Sequence, residues 1–341
     1  MSYQIPHGSR TYDVTGLGNA LVDALVRIDQ DSILAEMSLD RGHMHPVSHD
    51  DWETAFHQVE RFGAELQSGG SCANTIAALG LMGARSIYCG QIGDDPLGKL
   101  YSDRLQEACG GHALRISADM PTGKCLSIIS GADAERTMLS DLGAAIHLPG
   151  LGDFADQIRD SRVLHLTGYL LLGEPMRSRA LEAIAIAKAA GVPVSIDAAD
   201  PFVVETVGEL MWQVIRESAD IVFLNAEEAE TLCGVPAEEA LAKVAAAVDT
   251  VVVKLGSRGS VVSHRGETFR AGVHKVEAID TTGAGDAYAA GFLYGLIHDW
   301  SPAEAADLGS RIAAMTVAQI GAVVRDRDSL AEAVRAAHTE G

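Results

Sequence analysis

From Arg162 onward, short apolar runs alternate with longer amphipathic stretches. Residues 163–171, 192–198, 220–225 and 250–256 are rich in Val, Ile and Leu and predict strands. Residues 175–190, a stretch after 198 and the segment opening at Glu227 predict helices between them. Near-continuous apolar strands separated by helices are buried on both faces, which predicts an α/β fold with a doubly wound parallel sheet. Upstream the pattern changes. Residues 125–130 and 135–139 flank a turn at Gly131-Ala132-Asp133 and predict a hairpin. Residues 13–28 open as a strand, and 50–65 read as a helix capped by Ser48 or His49. The small residues after Gly69-Gly70, and those from 302 to 321, read as two further helices, the latter the final one.

Ligands of such sheets bind beyond the carboxyl ends of the strands. The polar residues there are Asp197, Asn225 and Lys254, followed by the loop after Ile279. That loop runs into DTTGAGDAYAAGFLYGL at 280–296, whose polar opening and small apolar continuation predict a loop feeding a helix N-terminus. The free N–H groups and macrodipole of such a start suit a polyanion, and Gly283 and Gly285 let it approach the backbone. Asp286 in the first turn is, on one reading, an ordinary helix-stabilising residue. On the other it is the general base for a hydroxyl attacking a phosphate, a task that explains a carboxylate beside an anion site.

Asn19 and Asp23 are polar residues in an apolar, alternating segment. They read as a turn residue and an exposed strand residue, or as a hydroxyl-binding pair, since a carboxylate accepts from two vicinal hydroxyls. Other site-like patterns do not complete themselves. Gly16-Leu17-Gly18 has Leu21 where a dinucleotide fingerprint needs a third glycine. The P-loop-like run at 93–99 is followed by Leu100, not a magnesium-binding Ser or Thr, and contains Asp94 and Asp95 where phosphate would lie. His43, His45 and His49 have no carboxylate or cysteine spacing that completes a metal site.

At 341 residues, with 47% hydrophobic and 21% charged residues, the chain is read as one domain over 1–341. A formal net charge of −21 argues against nucleic acid or an anionic membrane as partner. The five cysteines are scattered, with no Cys-x-x-Cys pair, which points to reduced thiols and a cytoplasmic setting. The first residues lack an apolar signal core, and no apolar run is long enough for a membrane span.

DTTGAGD at 280–286 and IGDDPLG at 92–98 resemble the two signatures of the ribokinase (PfkB) family of sugar and nucleoside kinases, over about residues 13–324. The resemblance implies a ribokinase-like three-layer sandwich with a central, mostly parallel sheet. A small β-sheet lid would be formed discontinuously by about 22–48 and 115–145. It implies an ATP-dependent kinase acting on a primary alcohol, with Asp286 as base and the backbone of Gly283, Ala284 and Gly285 as anion hole. The GN-x-x-x-D segment is similar to adenosine-kinase-like members and implies that Asn19 and Asp23 bind ribose hydroxyls. SGGSCANT resembles the family's switch, in which Gly69 and Gly70 bend on substrate binding and Asn74 bonds substrate hydroxyls. The Arg-Thr-Met segment implies Arg136 in the substrate site, facing the phosphates.

Asn225-x-x-Glu228 matches a family motif whose Glu places Mg2+ through water, and Asn225, Lys254, Gly256 and Gly259 would bind ATP. Family members often use K+, so a monovalent cation near Asp280 and Thr282 is compatible with the pattern. The expected partner is a small-molecule nucleoside or sugar, with a homodimer as the protein partner considered. Adenosine is the favoured acceptor. A ribokinase- or fructokinase-type sugar kinase is the alternative, and a non-catalytic ligand-binding relative the alternative of another class.

Overall fold

The computed structural model describes residues 3–6, 8, 10–132 and 135–339. Met1, Ser2, His7 and Ser9 of the N-terminal stretch, and Asp133 of the expected turn, lie outside the described residues. In chain order the strands begin with β1 (Tyr12–Leu17), β2 (Leu21–Ile28), β3 (Met44–Pro46), β4 (Ala64–Gly69), β5 (Ser86–Gly93), β6 (Ala113–Ser117) and β7 (Gly123–Ser130). They continue with β8 (Arg136–Asp141), β9 (Ser161–Thr167), β10 (Val194–Asp197), β11 (Ile221–Asn225), β12 (Thr250–Lys254), β13 (Ser260–His264) and β14 (Glu267–Ala271). Among the described residues these form two sheets, of nine and five strands.

The large sheet has the order β14-β13-β12-β11-β10-β9-β1-β5-β6. It is parallel from β12 to β6, and β13 and β14 turn back antiparallel. Alternate residues enter different cores, as strand geometry dictates. Phe223 and Val252 pack with Ile76, Phe292 and Leu308, from the helices Ser71–Leu81, Ala284–Ile297 and Pro302–Val317. Leu224, Val251 and Val253 pack on the opposite face with Ile184, Val214 and Val244, from Met176–Ala189, Pro201–Glu217 and Ala237–Ala245. This is the three-layer α/β sandwich expected. The chain builds outward from β1 in both directions, so the crevice between the ends of β1 and β9 is the topological switch point at which such sheets bind ligands.

The small sheet has the order β3-β8-β7-β2-β4, with β7 and β8 as the expected antiparallel hairpin. One face, with Val26, Ile28, Leu126 and Ile128, packs on Trp52, Ala55 and Val59 of the helix His49–Val59. Ser48 caps that helix, accepting from the Asp51 N–H at 3.2 Å. The span of this sheet corrects the expected lid boundaries of 22–48 and 115–145. Residues 64–69 form its edge strand β4, too polar to announce themselves as a strand, whereas 115–117 belong to β6 of the large sheet. The expected helix over 50–65 stops at Val59, with a further tight turn Glu60–Phe62 before Gly63 takes a φ of 90°. The helix expected over 302–321 ends at Val317, and Arg327–Thr339 adds another after it. The segment 13–28 is two strands, because the chain crosses from the large sheet to the small one between Leu17 and Leu21. Among the described residues no helix is long and apolar enough to cross a membrane.

Candidate active site

Gly283 precedes the helix Ala284–Ile297 with a φ of 71°, and a Cβ there would fall 2.5 Å from the Ala322 Cβ. Asp286, half-buried in the first turn, is held on both oxygens. Ser71 Oγ donates to Oδ1 at 2.6 Å and Asn74 Nδ2 to Oδ2 at 2.9 Å. Thr75 Oγ1 donates to the Asp286 backbone oxygen at 3.2 Å. All three donors lie on the helix that begins just after Gly70. Burial pushes the Asp286 carboxyl up to about 6, against the lowering effect of Ser71 and Asn74. A carboxylate poised there can take a proton near neutral pH. Asn74, read from the sequence as a ligand of substrate hydroxyls, is here a support of Asp286. Ser71 carried no separate signal, because a serine at a helix start is common for capping alone.

The floor of the crevice is charged. Lys254 Nζ, at the end of β12, donates to Asp197 Oδ2 at 2.7 Å, at the end of β10. The same ammonium is 3.1 Å from where a Cβ on Gly285 would stand. Glycine at 285 thus leaves a cradle between the helix start and a lysine, a fit for the phosphates of ATP. Burial works to lower the Lys254 pKa, but Asp197, Glu228 and Asp286 outweigh it and hold the ammonium charged. Strand topology marked Asp197 and Lys254 from the sequence, but not that they pair.

Asn225 and Glu228 form a capping box at the start of Ala226–Cys233. Asn225 Oδ1 accepts from the Glu228 N–H at 2.8 Å, and the Asn225 N–H donates to Glu228 Oε2 at 2.7 Å. Asn225 Nδ2 also donates to Oε1, so both oxygens of Glu228 are engaged. Burial pushes Glu228 up to about 7, partly countered by Lys254. Among the described residues no group of three His, Cys, Asp or Glu side chains could hold a metal ion. This donor set fits Mg2+ carried mainly by phosphates and water, the usual habit of that ion. Gly256 and Gly259 shape the connection from β12 to β13, with φ of 59° and 81°.

The small sheet supplies the opposite wall. Asp23 lies over Gly69, where a Cβ would fall 2.1 Å from Asp23 Oδ2. Among the described residues none donates a hydrogen bond to this carboxylate. Burial pushes it up to about 7, with Arg136 opposing and the charges of Asp286 and Asp280 adding to the rise. Arg136 Nη1 donates to Thr282 Oγ1 and so ties the lid to the loop before the anion cradle. Thr282 N–H donates to Asp280 Oδ1 at 2.9 Å and Gly321 N–H to Oδ2 at 3.0 Å. Burial works to raise Asp280, but these donors, the Thr282 hydroxyl and Arg136 outweigh it and keep its pKa low. Asn19 Oδ1 is buried without a hydrogen-bond partner among the described residues. Gly70 has a φ of 87°, and a Cβ there would be 2.4 Å from the Asn19 backbone oxygen. Asp23 and Arg136 of the lid therefore face Asp280, Thr282 and Asp286 of the body across one cleft.

An α/β sandwich that sets a glycine-lined helix start beside a carboxylate of raised pKa, with a small sheet facing both, suits phosphoryl transfer. Comparison with known proteins makes this specific. The signature of the pfkB family carbohydrate kinases matches residues 49–327. Over 263 residues the chain is 32% identical to a 5-dehydro-2-deoxygluconokinase of Shouchella clausii, covering 74% of this chain and 80% of the relative. The crystal structure of adenosine kinase from Sinorhizobium meliloti matches with a TM-score of 0.87 and 34% identity, covering 96% of this chain and 99% of that one. A probable sugar kinase from Rhizobium etli matches with a TM-score of 0.88 and 30% identity, over the same shares. The chain belongs to the pfkB family of carbohydrate kinases and is an ATP-dependent kinase acting on an alcohol group.

Proposed function

We propose that the acceptor is a nucleoside or sugar with vicinal hydroxyls beside its primary alcohol, and that adenosine is the first candidate. The observation that carries this reading is Asp23. A carboxylate without a protein donor, lying over a glycine and facing the base, suits two neighbouring hydroxyl donors. The 34% identity over 96% of the chain to a protein called adenosine kinase supports the nucleoside.

In this reading Asn19 and Asp23 hold the acceptor, with Asn74 keeping Asp286 in place. Asp286 takes the proton as the hydroxyl oxygen bonds to the γ-phosphorus and the bond to the ADP oxygen breaks. The N–H groups of Gly283, Ala284 and Gly285, with Lys254 and Arg136, stabilise the charge on the transferred group. Asn225, Gly256 and Gly259 border the nucleotide, and Glu228 orders Mg2+ through water. ATP supplies the phosphoryl group and Mg2+ neutralises its phosphates. A K+ ion near Asp280 and Thr282 belongs to the same reading, since Asp280 stays ionised beneath the cradle loop.

A sugar acid is the second reading, from the name of the Shouchella clausii relative and from Arg136, a cation near Asp23 that could meet a carboxylate. The test is turnover of ATP with adenosine, inosine, ribose, fructose and 5-dehydro-2-deoxygluconate. The first reading expects the highest kcat/KM with adenosine. Preference for the sugar acid would replace it with the second.

A further inference from the structure

We propose that Tyr101 is a positioning residue that latches the Gly69–Gly70 junction, and through it sets the acceptor carboxylate and the base together. The proposal rests on the reading of Asp23 as the acceptor-binding carboxylate. Tyr101 is 0% exposed and lies on the helix Pro96–Cys109, which packs against β5 of the large sheet and reaches β2 and β4 of the lid. Its hydroxyl donates to the Gly69 carbonyl oxygen at 3.1 Å. Gly69 is the last residue of a lid strand, and Gly70 is the cap of the helix that carries Ser71 and Asn74. One bond from the body thus reaches the point where the lid becomes the support of Asp286.

Both sides of that point depend on the peptide it holds. On the lid side, Asp23 lies directly over the Gly69 α-carbon. On the other, the Asn74 N–H donates to the Gly70 carbonyl at 3.0 Å, and Gly70 keeps its φ of 87°. Turning the 69–70 peptide would move the bed of Asp23 and the first turn of the helix at once.

A neighbouring tyrosine lies beside the latch. The Tyr88 ring centroid is 6.1 Å from that of Tyr101, and the two buried hydroxyls interact. A phenol hydroxyl both donates and accepts, so Tyr101 can face Tyr88 while it donates to Gly69.

The test compares Tyr101→Phe, Tyr88→Phe and Asp23→Ala with the unmodified enzyme. It uses steady-state kinetics with the best acceptor of the turnover panel, and hydrogen exchange of residues 123–130 and 136–141 without ligand. Tyr101→Phe should raise the acceptor KM about 3- to 10-fold, the worth of one neutral hydrogen bond, leave the ATP KM alone and speed lid exchange. Tyr88→Phe, which keeps the bond from Tyr101 to Gly69, should leave the acceptor KM unchanged. Wild-type acceptor KM and lid exchange in Tyr101→Phe, even with a lower Tm, would overturn the latch. So would an equal rise in KM in Tyr88→Phe, which would credit ring packing and not the bond to Gly69. An unchanged acceptor KM in Asp23→Ala would instead contradict the reading of the acceptor site, and lid exchange in Tyr101→Phe would still judge the latch.

Discussion

The side-chain amide of Asn74 donates to the Asp286 carboxylate at 2.9 Å, joining residues 212 positions apart in the chain. The helix that follows the glycine junction therefore orients the carboxylate in the first turn of Ala284–Ile297, the base of the proposed reaction. Asn74 and Ser71 both lower the Asp286 pKa, which burial has raised to about 6. Asn74→Ala should move the acidic limb of the pH–kcat/KM profile to higher pH and reduce kcat by about 10-fold or more, a share of what the base itself contributes. An unmoved limb would show that the contact does not tune the base.

The same charges predict how stability follows pH. Asp23, Glu228 and Asp286 have folded-state pKa values raised to about 7, 7 and 6. For a raised acid the folded state binds more protons than the unfolded one, so stability falls as pH rises through the window from about 4 to 7. Asp23→Asn removes a carboxylate whose charge burial disfavours and should make the free enzyme more stable at pH 7.5. It should also weaken acceptor binding. Thermal melts at pH 5.5 and 7.5 check both signs, and an Asp23→Asn enzyme less stable at pH 7.5 would contradict the charge account.

Two neighbouring glycines should respond differently to substitution. At Gly69 a Cβ meets the movable Asp23 carboxylate, 2.1 Å away. Gly69→Ala should fold, displace Asp23 and raise the acceptor KM about 10-fold or more, since a hydrogen bond to a charged group is worth about 1.5–3 kcal/mol. At Gly70 the obstacle is the Asn19 backbone oxygen, 2.4 Å away, with a φ of 87° as well. Gly70→Val should therefore lose stability along with closure. Circular dichroism melts and acceptor KM of the two variants separate the cases.

Much of this arrangement was legible in the sequence where local chemistry dominates. The apolar strands β11 and β12 read as parallel strands because near-continuous apolar runs suit strands covered by helices on both faces, as these are. The glycines at 283 and 285 before Asp286 read as a loop feeding a helix N-terminus, and the helix Ala284–Ile297 begins there. The edge strand β4 was not legible, since AELQSG alternates only over Ala64 to Gln67, too briefly to stand out from the helix before it. Nor were the contacts that hold the site. The Lys254–Asp197 pair joins strands two places apart in the sheet, and Ser71 meets Asp286 across 215 positions. Such contacts follow from the assembled sheet, and no local pattern encodes them.

A potassium requirement is a separate consequence of the reading of Asp280. Replacing K+ by a bulky organic cation should lower kcat, and Asp280→Asn should abolish the difference while Tm and ATP binding report any wider damage. Equal rates with and without K+ would remove the cation from the account.

The central claim is that Asp286 is the base, and Asp286→Asn tests it most directly. The substitution preserves size and can still accept from Ser71, while removing the proton acceptor and one of the two accepted bonds. Single-turnover kinetics with the preferred acceptor should show phosphoryl transfer slowed by about 10²–10⁴-fold, with ATP affinity within about 2-fold of the unmodified enzyme, a margin well below the factor of 10 that 1.4 kcal/mol represents. Transfer at the unmodified rate in a folded, ATP-binding Asp286→Asn enzyme would contradict the account.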